Sequence, residues 1–143
     1  MDHIAILSTK LPWLHRILSG EKTIESRWYQ SRRTPWQQIT IGDTVYFKNS
    51  GELITARAMV KSVNFYRLGE DTTSAQLLDR RSKELGLLPA ERSAFAQQVV
   101  SANYAIFISL TQVMRITPFA INKSGFGAMA AWIAVPDITK IVI

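Results

Sequence analysis

The chain has 143 residues, a formal net charge of +6 and no cysteine. That length suits a single domain with one sizeable core, and 47% hydrophobic with 20% charged residues suits a compact globule rather than a disordered chain. Without cysteine, disulfides and thiolate metal sites are excluded, and two histidines, His3 and His15, do not make a histidine-rich metal site, so no metal and no cofactor is expected.

No run of about 18 apolar residues occurs, and Met1-Asp2-His3 does not open a signal peptide, so no membrane partner and a cytoplasmic location are expected. The basic balance points instead to an anionic partner, through phosphate attraction and counterion release. Its distribution is uneven. Lys22, Arg27, Arg32 and Arg33 fall among Trp28, Tyr29 and Trp36, the mixture of cations and aromatics that binds phosphates and stacks bases.

In chain order, Ile4 to Leu7 reads as a first strand, and Pro12 suits the first turn of a helix. Trp13, Leu14, Ile17 and Leu18 form an apolar stripe at helical spacing, and Gly20 is the natural stop. Ile24 to Tyr29 reads as extended. Gly42-Asp43 signals a turn into a strand over Thr44 to Lys48. Asn49-Ser50-Gly51 then turns into a long strand from about Leu53 to Tyr66, making a β-hairpin. Thr73 with Gln76 resembles a capping box for a helix over Ser74 to Leu85, and Pro89 opens a second helix to about Ser101. Tyr104 to Met114 alternates as a strand, 116 to 121 continues as a strand or extended turn, and Ala131 to Val135 and Ile138 to Ile143 close the chain as strands. No linker or repeat divides residues 1–143. The expected fold is one α+β domain, a mostly antiparallel sheet or small barrel with inserted helices.

The densest chemistry lies at the junction of the first helix and second strand: Gly20-Glu21-Lys22-Thr23-Ile24-Glu25-Ser26-Arg27. Alternation along an extended chain puts Thr23, Glu25 and Arg27 on one face, with Lys22 reaching in from the turn. Burying such a group without partners is costly, so it is expected to line a polar pocket or groove. Three roles are open for it: an ion bridge that positions backbone, a ligand-binding floor, or catalysis with Lys22 as a base of lowered pKa, Thr23 as nucleophile and Glu25 as acid or base. Trp13 and Trp132 read as core packing, whereas Trp28 and Trp36 suit burial and base stacking equally. The loop Lys123-Ser124-Gly125-Phe126-Gly127 lacks the order and spacing of a P-loop but can offer backbone N–H groups to an anion.

A short strand, a helix, the Gly-x-Lys-Thr-x-Glu-x-Arg string and then Ile41-Gly42-Asp43-Thr44-Val45 entering a strand resemble the ASCH domain family of the PUA-like superfamily. The resemblance implies a small PUA-like β-barrel with flanking and inserted helices, and a cleft used for RNA, nucleotides or modified nucleosides. It implies as partner an RNA or a nucleotide-sized ligand, with Lys22, Thr23, Glu25 and Arg27 as the cleft floor and Trp28, Arg32, Arg33, Trp36, Lys123, Ser124 and Phe126 as further binding residues. Some family members are metal-independent amidohydrolases that deacylate acetylated cytidine with a lysine, a threonine and a glutamate, and others bind or cleave RNA. Lys22 stands at the lysine position, Glu25 occupies the place of the catalytic threonine, and Glu84, with Glu91 as second choice, is the candidate glutamate. Amidohydrolase and ribonuclease activities are therefore the alternatives to binding alone, and the oligomeric state is open.

Overall fold

The computed structural model describes all of residues 1–143. Six strands form one sheet: β1 (Asp2–Leu7), β2 (Ile24–Tyr29), β3 (Thr44–Asn49), β4 (Ile54–Arg67), β5 (Tyr104–Phe119) and β6 (Trp132–Val135). Their order is β2-β5-β4-β3-β1-β6, with β1 and β3 parallel and every other pair antiparallel. Three helices accompany it: α1 (Trp13–Ser19), α2 (Ser74–Arg81) and α3 (Arg92–Val99), the last preceded by a 3-10 turn over Pro89–Glu91. The expected α+β architecture is present, but the barrel is not closed by hydrogen bonds. It is a half-barrel whose free margins are β2 and β6. Its curl is set by β4 and β5, whose pairing shifts register between Ile54 and Ala56, Arg57 and Met59, and Val60 and Ser62. Each irregularity bends the strand pair and sharpens its twist.

Alternation along β5 builds two cores at once. Ile106, Ile108 and Leu110 face the barrel interior with Ala5, Leu7, Val45, Phe47, Ala56 and Ala58, capped by Leu14 and Ile17 of α1. Ala105 and Phe107 face the other way, with Ile24, against Leu77, Leu78, Leu85, Leu87 and Val99 of the helical insert. The sheet is thus covered on both faces where β2 lies. α1 ends as the sequence implies: Gly20 adopts φ 86°, and its N–H donates to the Ile17 carbonyl.

Three expectations are corrected. The helix expected to reach Leu85 stops at Arg81, and residues 82–86 form turns that lead to Gly86 at φ 74°. The strand from Tyr104 runs on to Phe119, absorbing most of the segment expected to follow it. Ile138 to Ile143 is not a strand. Asp137 accepts from the Thr139 N–H (2.9 Å) and hydroxyl (2.7 Å), which turns the chain into a 3-10 helix over Ile138–Lys140 and buries Ile138 beside Ile4 and Ile133. Only an isolated bridge, Ile121 to Val142, remains of the expected pairing.

Candidate functional site

β2 emerges from Gly20 along the margin of the sheet, so its odd and even residues meet different neighbours. Ile24 and Trp28 face the helical insert, where Trp28 packs edge-on against Phe95 and Phe107. Glu25 and Arg27 face the barrel mouth, as alternation predicts. Lys22 is 3% exposed and Glu25 5% exposed.

Lys22 is held from three sides. Its Nζ donates to the Leu85 carbonyl at 2.9 Å, lies 3.6 Å from Glu25 Oε1, and sits 4.8 Å from the centroid of the Trp13 ring. Burial pushes its ammonium below the ordinary lysine pKa; the Glu25 carboxylate opposes this shift and the Arg27 charge adds to it. Glu25 is shared. Its Oε1 accepts from the Ser26 N–H at 2.9 Å, and its Oε2 accepts from Arg27 Nη2 at 3.3 Å. Arg27 then crosses the open side of the half-barrel, donating from Nη2 to the Ile6 carbonyl (3.3 Å) and from Nη1 to the Ala131 carbonyl (3.2 Å), with its guanidinium 5.1 Å from the Trp132 ring centroid. One side chain therefore joins the two free margins of the sheet.

These residues wall a cavity of about 310 Å³ that also takes in Trp13, Trp28, Leu85, Phe95 and Gln98. A second hollow of about 580 Å³ shares Tyr29 with the first and is lined by Arg32, Arg33, Trp36, Phe126, Met129 and Trp132. Trp36 is 7% exposed, packs edge-on against Phe65 and Tyr104, and has no hydrogen-bond partner for its indole N–H.

Not every expected residue joins the group. Thr23 lies before the strand begins; its side chain is exposed and does not line the cavity. Its backbone is occupied, with N–H to the Glu84 carbonyl and C=O from the Leu110 N–H. The Glu84 carboxylate turns outward to Arg81 at 2.6 Å. Glu91 is engaged elsewhere, bidentate to the buried Arg16 at 2.7 and 2.9 Å. Neither of these two glutamates pairs with Lys22; the insert reaches it through the Leu85 carbonyl. Lys123 and Ser124 line neither hollow, and Lys123 Nζ reaches the Ala130 carbonyl at 3.5 Å. Phe95 and Gln98 of α3 went unnoticed in the sequence, because nothing in a helical pattern says which strand margin it will face.

Fold and site together define a small α+β half-barrel with a buried Lys–Glu–Arg group at its open side. The chain belongs to the ASCH domain family, whose model matches residues 7–134. No curated protein sequence matches it. Among solved structures it is similar to an ASCH protein from Zymomonas mobilis, with TM-score 0.67 and 15% identity over 97% of this chain and 91% of that one. A tyrosine-to-phenylalanine mutant of the same protein superposes with TM-score 0.68 and 14% identity, covering 97% and 93%. At such identities the likeness shows the shared fold.

Proposed function

We propose that the protein binds RNA or a nucleotide-sized ligand in the paired hollows between β2 and the β1–β6 margin. The observation that supports this most is the continuity of two chemistries. The inner cavity is walled by Trp13, Trp28 and Phe95 with Lys22, Glu25 and Arg27 at its floor, and through Tyr29 it meets an outer groove that carries Arg32 and Arg33 beside Trp36 and Phe126. Aromatic faces stack bases, and free guanidinium groups attract phosphates. Arg32 and Arg33 are exposed and have no carboxylate partner, so their charge is available to an incoming anion. Fluorescence anisotropy with short single-stranded RNAs tests the reading: affinity is expected to be measurable at low salt and to fall steeply as salt rises. Absence of binding to RNA, nucleotides and nucleosides at low salt would sink it.

A second reading rests on one observation, the buried Lys22 with its lowered pKa beside Glu25. Such a pair could move a proton during hydrolysis of an acylated nucleoside. Release of acid and free amine from acylated cytidine, abolished in Lys22→Ala without unfolding, would support that activity. Thr23, with its exposed side chain, and Glu84, with its carboxylate on Arg81, do not line the cavity, so in this reading the pair would act on a bound water.

A further inference from the structure

The margin of β2 carries unpaired backbone groups that face the inner cavity. β2 has one neighbour in the sheet, β5. The Thr23 and Tyr29 carbonyls accept from Leu110 and Asn103, both on that side, so within the strand Glu25, Arg27 and Tyr29 turn their N–H and C=O toward β5. Thr23, just before the strand, sends its C=O there and its N–H to the Glu84 carbonyl. Both groups of a residue in an antiparallel pair point the same way, so the even residues turn theirs outward. Two of these six outward groups are already engaged: the Ile24 N–H donates to the Glu84 carbonyl, and the Ser26 N–H donates to the carboxylate of Glu25. The Ile24 C=O lies isolated between those two, and the Ser26 C=O, the Trp28 N–H and the Trp28 C=O follow as three consecutive groups with no partner on that side. Residues 25–29 all line the cavity, opposite Ile6, Leu7 and Ser8.

Resting on the nucleotide-binding reading, we propose that this strand margin reads the hydrogen-bonding edge of a planar heterocycle, a nucleobase whose amino or imino donor lies next to a ring acceptor. The donor would bond the Ser26 C=O, and the acceptor would take the Trp28 N–H. The walls suit the ring, because Trp13, Trp28 and Phe95 provide aromatic surface and a cavity of about 310 Å³ is at the small end of ligand pockets. The same features disfavour an added peptide strand. Only three consecutive groups are free, and the Arg27 guanidinium spans the gap to the Ile6 and Ala131 carbonyls, so a strand could not continue past it. Main-chain groups turned into such a cavity are bonded by its occupant, and a mismatched occupant leaves them unpaired, which makes the edge a specificity device.

The test is a titration of the full chain with adenosine and cytidine, followed by amide NMR. The Trp28 amide proton should move downfield, while those of Glu25, Arg27 and Tyr29, bonded to β5, stay near their free positions. N6,N6-dimethyladenosine and N4,N4-dimethylcytidine, neutral analogues without the donor, should bind about ten-fold more weakly, and Gln98→Trp, an exposed residue at the cavity mouth, should block all four. Equal binding of the dimethylated analogues would overturn the inference. So would a Trp28 amide that moves with an extended peptide but with no nucleoside. If RNA or nucleotides bind while the Trp28 amide is unmoved, the edge inference fails and the nucleotide-binding reading stands; if nothing binds at low salt, both fail.

Discussion

Lys22 is accommodated by a carbonyl, a carboxylate and an indole face, and the carbonyl is there because the chain turns at Gly86. A methyl group on Gly86 would stand 2.7 Å from the Lys22 Cβ, and the residue already sits at φ 74°, where side chains are strained. Gly86→Ala should therefore cost about 2–4 kcal/mol in urea denaturation, combining left-handed backbone strain with overpacking; a cost within experimental error would show that this turn does not position the lysine. A second buried network titrates. His3 is fully buried, its Nδ1 accepts from the Trp132 indole N–H at 3.0 Å, and its Nε2 lies 2.9 Å from Asp43, so the neutral ring carries its proton on Nε2. Burial lowers its pKa, against the opposing pull of Asp43. The unfolded chain titrates at the ordinary value near 6.5 and so takes up the proton first. This contribution to stability is complete above about pH 6.5 and is lost as pH falls through the lowered folded value. Unfolding free energy measured across pH 7.5 to 5 should decline, and His3→Gln should flatten that slope; parallel slopes would contradict it. The sequence made Lys22 conspicuous by its neighbours. It left His3 mute, because a lone histidine in a strand carries no sign of the aspartate that will meet it from 40 residues away.

At the scale of elements, the half-barrel is open between β2 and the β1–β6 margin, and Arg27 spans the opening. Arg27→Met would leave the buried Glu25 with Lys22 as its only cation, strip its Oε2 of a partner, and remove the bonds to Ile6 and Ala131. A destabilisation of about 3–5 kcal/mol is expected, with faster hydrogen exchange along β2 and β6 than in β3. Loss of stability without that local pattern would mean that Arg27 acts within β2 only. The helical insert is anchored separately. Arg16 of α1, 6% exposed, donates to Glu91 through both terminal nitrogens and to the Gly86 carbonyl. Such bidentate pairs fix geometry as well as energy. Glu91→Gln should cost about 1–3 kcal/mol and loosen α3 relative to α1, measurable by thermal unfolding and by exchange at Phe95. The elements were largely legible in the sequence, since period-2 and period-3.6 patterns follow from backbone geometry alone. The partner of each glutamate was not. Glu84 and Glu91 flank the same turn, and which of them swings toward α1 depends on how the insert docks.

At the scale of the molecule, the net charge of +6 becomes functional only if it is gathered on one face. Arg32 and Arg33 lie together on the outer groove, whereas Arg81 is neutralised by Glu84 and Arg16 by Glu91. Reversing both, Arg32→Glu with Arg33→Glu, should weaken single-stranded RNA binding and lower the salt slope by about 0.7 for each phosphate that is no longer neutralised. An unchanged slope would place the RNA on another surface. By itself, the sequence determined the family, the strand and helix pattern and the position of the Lys–Glu–Arg group, because these are local properties of spacing, side-chain type and turn chemistry. Only the tertiary structure decided that the barrel stays half open, that Thr23 and the Glu84 carboxylate turn away from the cavity, and that the margin of β2 faces Ile6, Leu7 and Ser8. Those outcomes depend on the curvature built by register shifts in β4 and β5, and on a helical insert whose docking joins residues some 60 to 75 positions apart. The dense polar segment could be found by reading the chain, but its partners are set where distant parts of the fold meet.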